Sequence, residues 1–158
     1  MRIALGADHA GVALKTAIKS LLDARGVTYT DLGTDQTASV DYPDFAARVA
    51  EEVASGRYDR GLLFCGSGIG MAIAANKIPG VRAAAVVDEE SARLSREHND
   101  ANVLALGERL TTPHVARRLV EVFLDTEFAG GRHQRRIDKI SDLDRTHASA
   151  PTNARPAT

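Results

Sequence analysis

The sequence contains one cysteine, no long apolar run and almost no net charge. A single cysteine cannot form an intrachain disulfide, and the Cys, His and acidic residues show no zinc-type spacing. No apolar run approaches the ~20 residues that cross a bilayer, and the first residues lack the pattern of a secretory signal. A formal net charge of −1 gives no global attraction to nucleic acid. We therefore expect a cytoplasmic protein with no disulfide, no zinc site, and neither nucleic acid nor membrane as a partner.

Length and composition indicate one globular domain. The chain has 158 residues, of which 44% are hydrophobic and 26% are charged, as is typical of a domain with an ordinary core. We place this single domain at residues 1–148. Residues 149–158 are small and polar and include proline, so they bury too little apolar surface to offset the entropy of ordering. They are predicted to form a disordered tail.

Apolar runs and helical periodicities alternate along the domain. Strands are predicted at residues 1–7, 28–32, 61–64, 82–87 and 103–106, and helices at 11–25, 43–55, 71–77, 89–98, 113–123 and 132–145. Several of the strands are apolar on both faces, which is typical of a parallel sheet covered on both sides. The pattern predicts an α/β fold with a five-stranded parallel sheet and helices on both faces.

Sheets of this kind bind their ligands beyond the carboxyl ends of the strands. The most distinctive loop there is CGSGIG at residues 65–70. It lacks the glycine spacing of a dinucleotide fingerprint, the Lys-Ser/Thr of a P-loop, and the arginine that a cysteine phosphatase would have in place of Met71. We predict a turn whose backbone amides face the ligand and stabilise an oxyanion or a phosphate.

Cys65 ends the third predicted strand, directly before this turn and the helix that follows it. The positive end of a helix stabilises a thiolate, which can act as a nucleophile or a base. A lone cysteine that ends an apolar strand is at least as typical of a small buried core residue, and the glycines of the turn can simply allow close helix packing. The residues alone leave both interpretations open.

Two pairs of polar residues are expected at the same edge of the sheet. Asp8 and His9 follow the first strand, and His98 and Asn99 end the helix after the fourth strand. A histidine in this position can exchange protons with a hydroxyl near neutral pH. The alternatives are an Asx-type cap for Asp8 and a helix C-cap for His98.

The segment 132–139 is basic. Arg132 and Arg136 are one helical turn apart, so both guanidinium groups can bind one phosphate, and Arg109 after the fifth strand can add a third. A solvated helix face is the more usual role of such a run, and a weak nucleic-acid patch is a further alternative. Spacing does not decide among these possibilities.

Motifs in order along the chain resemble the type B ribose-5-phosphate isomerase family, which is related to galactose-6-phosphate and allose-6-phosphate isomerases. They are GADHAG at 6–11, DYPDFA at 41–46, CGSGIG at 65–70, AANK at 74–77, SREHND at 95–100 and GGRHQRR at 130–136. The likeness extends over residues 1–144. An ordered set of motifs is more specific than any one of them.

The resemblance implies a homodimeric Rossmann-like enzyme, with a tetramer left open, that interconverts ribose 5-phosphate and ribulose 5-phosphate without metal or cofactor. Each active site would be completed by the partner subunit, on which the basic helix at 130–148 can dock. By this likeness Cys65 is the base, Ser67 assists it, the amides of residues 66–70 stabilise an enediolate, and His98 opens the furanose ring. The implied substrate-binding residues are Asp8, His9, Tyr42, Gly66, Ser67, Gly68, Ile69, Gly70, Asn99, Arg109, Arg132 and Arg136.

A second branch of the family has glycine in place of the cysteine and a catalytic glutamate at the position of Met71, so the resemblance places this chain in the cysteine branch. Ser67 stands where many cysteine-type members have threonine, which keeps the hydroxyl and removes a methyl group. Allose 6-phosphate and galactose 6-phosphate stay open as substrates. A sugar-phosphate-binding module without catalysis is the alternative of another class.

Overall fold

The computed structural model describes residues 1–147. Residue 148 and the predicted tail at 149–158 lie outside the described residues. The strands are β1 Arg2–Ala7, β2 Thr28–Asp31, β3 Arg60–Cys65, β4 Ala83–Ala85 and β5 Val103–Gly107. The helices are α1 Val12–Ala24, α2 Tyr42–Ala54, α3 Ile69–Ala75, α4 Glu89–Glu97, α5 Pro113–Asp125 and α6 Arg132–His147.

The strands form one parallel sheet in the order β2-β1-β3-β5-β4. Leu5 of β1 pairs with Leu62 of β3, which in turn pairs with Leu104 of β5, so the central strands place apolar residues side by side. From β1 the chain crosses to β2 on one side and later returns to β3 on the other. The carboxyl ends of β1 and β3 therefore flank the point where the connections diverge, which is where open α/β sheets bind ligands.

Helices cover both faces of the sheet. On one face α1, α4 and α5 pack on Ile3, Leu5 and other strand residues, and their own buried positions include Ile18 and Phe123. On the other face α2 and α3 pack on Leu63 and its neighbours. This arrangement confirms the predicted α/β fold, with three layers and a five-stranded parallel sheet.

Local capping explains where two of the helices begin. The Asp88 carboxylate accepts a hydrogen bond of 2.7 Å from the Ser91 N–H at the start of α4. The Thr112 hydroxyl accepts one of 3.3 Å from the Val115 N–H at the start of α5, which has Pro113 in its first turn. Both helices lead away from the edge of the sheet that carries the glycine turn.

The prediction for the fourth strand was too long. Residues 82–87 have a strand-like composition, but only Ala83–Ala85 pair with β5. β4 is an edge strand, and the chain leaves the sheet after it to reach Asp88, so Val87 is 56% exposed. Two helices also begin earlier than predicted, at Tyr42 and Ile69.

Helix α6 buries one narrow side. His133 and Ile137, one turn apart, are buried, whereas Ile140 and Leu143 are 39% and 57% exposed. The Asp144 carboxylate accepts a hydrogen bond of 2.8 Å from the Gly80 N–H, which fastens the helix near the end of α3. None of the helices in the described part of the chain is both long and apolar enough to span a bilayer.

Candidate active site

A cavity of about 410 Å³ opens at the carboxyl ends of β1 and β3. Its walls come from the loops after these strands, from the starts of α2 and α3, and from the segment after β5. The lining residues are Asp8, His9, Ala10, Tyr42, Cys65, Gly66, Ser67, Ile69, Gly70, Ile73 and Arg109. Most of the predicted site residues are therefore neighbours in space.

The glycine turn lies backbone to backbone against the end of β5. Gly68 has a φ of +77°, and a Cβ there would lie 2.9 Å from the carbonyl carbon of Leu106. A Cβ on Gly107 would lie 2.4 Å from the carbonyl carbon of Ser67. Side chains at these two positions would push the turn away from the sheet, so glycine is needed for the close approach.

The Cys65 thiol lies in the cavity wall. The residue is only 4% exposed and also belongs to the apolar cluster beneath α2 and α3. The Gly68 N–H donates a hydrogen bond of 3.1 Å to Sγ. The sulfur therefore fills a place in the core and at the same time meets a backbone donor at the cavity wall.

The loop after β1 is held by its own side chains. The Asp8 carboxylate accepts a hydrogen bond of 2.9 Å from the Ala10 N–H, as expected for an Asx-type turn. The Val40 N–H donates to Nδ1 of His9 over 3.2 Å. Because Nδ1 acts as an acceptor, the proton of a neutral His9 is on Nε2, where it can be donated to a ligand oxygen.

Arg109 supplies a cation at the cavity. Its N–H donates to the Gly66 carbonyl over 3.0 Å, which fixes the backbone beside the glycine turn. The guanidinium carbon would lie 3.2 Å from a Cβ on Gly66, so the side chain covers that glycine. Within residues 1–147 the guanidinium has no carboxylate partner, and it can bind an anion.

Tyr42 and two isoleucines form the outer wall. The Tyr42 ring lies over Gly70, where a Cβ would be 2.7 Å from Cζ of the ring. Ile69 and Ile73 are 54% and 58% exposed on the first turns of α3. The sequence analysis did not predict Ala10 or Ile73. The spacing of the two isoleucines by one helical turn was the available signal for Ile73.

Four predicted residues lie away from this cavity. His98 ends α4, as its C-cap alternative predicted, and stacks on His133. Asn99 lines a different cavity of about 440 Å³, which Ile140 also lines, and Arg132 and Arg136 are exposed on α6. Within one chain the expected convergence of His98 and Asn99 with Asp8 and His9 is therefore absent, because α4 carries them to another side.

Cavity size does not identify the functional site. A cavity of about 430 Å³ between α4 and α5 is as large, but its charged residues bind one another. Arg118, for example, donates to Glu89 over 3.1 Å. Among residues 1–147 no group of His, Cys, Asp or Glu side chains is arranged to hold a metal ion. The cavity at β1 and β3 differs in combining a thiol, backbone donors and a free guanidinium.

Fold and site together define a class: a Rossmann-like α/β protein with a pocket at the carboxyl ends of its strands that a thiol, a glycine turn and a guanidinium line. The profile of the family described as Ribose/Galactose Isomerase matches residues 3–140. The chain therefore belongs to the Ribose/Galactose Isomerase family, as the motifs predicted.

Relatives of known sequence or structure match this chain over nearly its whole length. The chain is 45% identical over 143 residues to ribose-5-phosphate isomerase B of Escherichia coli, covering 90% of this chain and 96% of the relative. It is 43% identical over 141 residues to D-erythrulose-4-phosphate isomerase of Pectobacterium atrosepticum, covering 89% and 93%. The structure of ribose-5-phosphate isomerase B from Clostridium thermocellum matches with a TM-score of 0.92 at 50% identity, covering 93% and 99%.

Proposed function

We propose that the protein is a ribose-5-phosphate isomerase that uses Cys65 as its base. The observation that carries this proposal is the Cys65 sulfur, which accepts a hydrogen bond from the Gly68 N–H in a cavity that Arg109 also lines. An aldose–ketose isomerase needs a base beside the reacting carbons, donors for developing negative charge on oxygen, and a distant handle for the phosphate. The likeness to the isomerase of E. coli supports the same substrate.

The reaction moves hydrogen from C2 and O2 of the open-chain aldose to C1 and O1. The Cys65 thiolate takes the C2 proton, and the electrons of that bond form the C1–C2 double bond of a cis-enediolate while negative charge develops on O1. Backbone N–H groups of residues 66–70, aided by the Ser67 hydroxyl, stabilise that charge. Return of the proton to C1 and transfer of the O2 proton to O1 give the ketose and restore the thiolate.

His98 opens the furanose ring before this step. Ring opening removes the proton from the anomeric hydroxyl and delivers one to the ring oxygen, which a histidine can do in either order near neutral pH. Asp8, His9, Tyr42 and Asn99 hold the sugar hydroxyls. These assignments follow the family resemblance.

Two chains share each site in this proposal. His98, Asn99, Arg132 and Arg136 lie away from the cavity of their own chain, so a second copy must bring them to it. The exposed Ile140 and Leu143 of α6 give that helix an apolar surface for the partner. With Arg109, the partner's Arg132 and Arg136 would surround the phosphate.

Replacing Cys65 tests the proposed base. We expect Cys65→Ala to lower kcat for ribose 5-phosphate by ~10²-fold or more, because a general base contributes that much, while phosphate-ester binding is kept. Arg136→Ala is the matched variant, and it should mainly raise KM. Turnover is measured in a coupled assay that detects the ribulose 5-phosphate formed. Full activity of Cys65→Ala would contradict the role of the thiol, and an inactive native protein would favour a binding module.

A tetrose phosphate is a second candidate substrate, because a relative at 43% identity is named for erythrulose 4-phosphate. Five-carbon, four-carbon and six-carbon aldose phosphates, allose 6-phosphate and galactose 6-phosphate among them, should be compared on the purified native protein. We expect the highest kcat/KM for ribose 5-phosphate. Metal independence stays a prediction, and activity that persists after treatment with a chelator would support it. A cytoplasmic location also stays a prediction.

A further inference from the structure

His133 forms a contact to which the proposed mechanism gives no role. Its imidazole lies parallel to that of His98, with ring centroids 4.2 Å apart and an interplanar angle of 8°. His98 ends α4, and His133 lies in the first turn of α6, so the stack joins two helices that are distant in sequence. His133 is 8% exposed, which makes it one of the buried polar residues of the domain.

The main chain and the ring of His98 are held by different contacts. The backbone N–H of His98 donates to the Leu94 carbonyl over 3.0 Å, which fixes its main chain at the end of α4. Within residues 1–147 neither imidazole has a hydrogen-bond partner on a ring nitrogen, whereas active-site histidines are usually oriented by such a bond. A flat neighbour restrains the ring and leaves both nitrogens of His98 available to substrate.

Charged groups around His133 favour the neutral ring. Its burial, together with His98, Arg132 and Arg136, lowers the pKa of His133, and Glu97 on α4 opposes this only in part. A neutral His133 can lie against His98 at neutral pH without the repulsion between two imidazolium rings. Stacking is then compatible with a proton that His98 gains and loses during ring opening.

We propose that His133 is a positioning residue that holds the His98 imidazole by ring stacking in the geometry for furanose opening. This inference rests on the proposed function, because it assigns His133 to the ring-opening step alone. Since Arg132 and Arg136 lie on the same helix as His133, the stack also ties the ring-opening histidine to the phosphate-binding arginines. Substrate phosphate and ring oxygen would then be recognised by one rigid unit.

Two substitutions separate stacking from mere filling of space. His133→Phe keeps a flat ring, and His133→Leu fills a similar volume without one. We expect His133→Leu to lower kcat for ribose 5-phosphate by ~10-fold to 10²-fold, because misplacing a catalytic group costs up to that much, and His133→Phe to retain most of the native rate. Equal rates for the two variants would overturn the proposal. Urea titration of both variants shows whether each is folded.

A substrate that cannot cyclise isolates the step. Erythrose 4-phosphate has its O4 esterified, so it forms no furanose and needs no ring opening. We expect His133→Leu to leave its turnover within about 2-fold of native, since only proton transfer at C1 and C2 is then required. A loss as large as that for ribose 5-phosphate would show a general structural role and overturn the assignment.

An NMR measurement tests the stack independently of activity. In the native full-length protein, the His98 ring protons should show a ring-current shift from the stacked neighbour, kept in His133→Phe and lost in His133→Leu. Absence of the shift in the native protein would overturn the inference whatever the kinetics show. If the shift is present but the native protein isomerises no aldose phosphate, the proposed function fails, whereas the stack stands.

Discussion

At the scale of single residues, Cys65 lies both in the core and at the ligand-binding edge, two positions that the sequence presents as alternatives. Its side chain packs with Leu63 and Met71 beneath α2 and α3, as a core cysteine does. Its sulfur also accepts the Gly68 N–H at the cavity wall. The apolar strand that carries a cysteine ends at the ligand-binding edge of a parallel sheet, so burial and reactivity are compatible.

Lys15 is a buried charge that the sequence analysis did not single out. Its side chain is fully buried, and Nζ donates to Asp31 over 3.0 Å, to Asp35 over 2.7 Å and to the Thr34 carbonyl over 2.7 Å. These bonds fasten the end of β2 and the segment after it to α1. A lysine within an amphipathic helical stripe looks solvated in sequence, because its partners come from a loop that the stripe does not specify.

We predict that Asp31→Ala lowers the free energy of unfolding by ~3 kcal/mol, because it leaves the Lys15 ammonium buried without its less exposed carboxylate. The Asp31 side chain is 16% exposed, whereas that of Asp35 is 76% exposed and its charge is screened by solvent. Asp35→Ala is therefore the matched control and should cost less than ~1 kcal/mol. Urea denaturation at pH 7 measures both. Equal losses would show that Lys15 does not depend chiefly on Asp31.

The same pair makes stability depend on pH. Burial by itself would raise the pKa of Asp31, but hydrogen bonds from Lys15, Lys19 and the Gly33 N–H outweigh it and hold the pKa below its ordinary value. A lowered carboxylate pKa contributes stability that is fully present above the unfolded value of ~4 and is lost as the pH falls through the folded value. We expect native stability to drop below pH 4 more steeply than that of Asp31→Ala, measured by thermal unfolding from pH 2.5 to 7. Parallel curves would contradict this origin.

At the scale of elements, Glu108 joins the loop after β5 to the start of α1. Helix α1 begins at Val12 with no capping side chain of its own and no acidic residue in its first turn. The Glu108 carboxylate accepts hydrogen bonds of 3.1 Å from both the Ala13 and Leu14 N–H groups. It therefore supplies from another loop the cap and the negative charge that a helix N-terminus favours.

Removal of this carboxylate should loosen α1. We predict that Glu108→Ala lowers the free energy of unfolding by about 1–2 kcal/mol, and that Glu108→Gln, which keeps an acceptor without charge, loses about half as much. Glu51→Ala, at an exposed position within α2, is the control and should change stability by less than ~0.5 kcal/mol. Chemical denaturation gives all three values. An Ala variant as stable as the control would contradict the cap.

The helices and strands were largely predictable from the sequence, whereas their arrangement in space was not. The central strands are apolar runs and most of the helices are amphipathic repeats, so local pattern indicates their type and approximate bounds. Pattern does not reveal that β5 lies between β3 and β4, or that Glu108 reaches α1, because these are contacts between distant segments. The glycine turn was recognisable because a turn with close backbone contacts requires glycine at particular positions. The position of His98, by contrast, depends on how α4 packs.

At the scale of the whole molecule, one chain contains all the proposed site residues but does not assemble them. The thiol, Asp8, His9 and Arg109 line one cavity. His98 lies at the end of α4, and Arg132 and Arg136 lie in the first two turns of α6. The family resemblance implied that the partner subunit completes each site, but it did not say which of these residues the partner supplies. In a symmetric dimer, the two groups of residues from different chains would meet and form two equivalent shared sites.

Shared sites predict that two inactive variants restore each other. In a heterodimer of Cys65→Ala and His98→Asn chains, one site carries both defects and the other combines native Cys65 from one chain with native His98 from its partner. Random mixing makes about half the dimers mixed, each with one intact site of two, so about a quarter of native activity should return. The two variants are unfolded, mixed in equal amounts and refolded together, and the ribose 5-phosphate assay then measures the activity that returns. Each variant refolded alone is the control. Activity no higher than that of the separate variants would place both residues in a site within one chain.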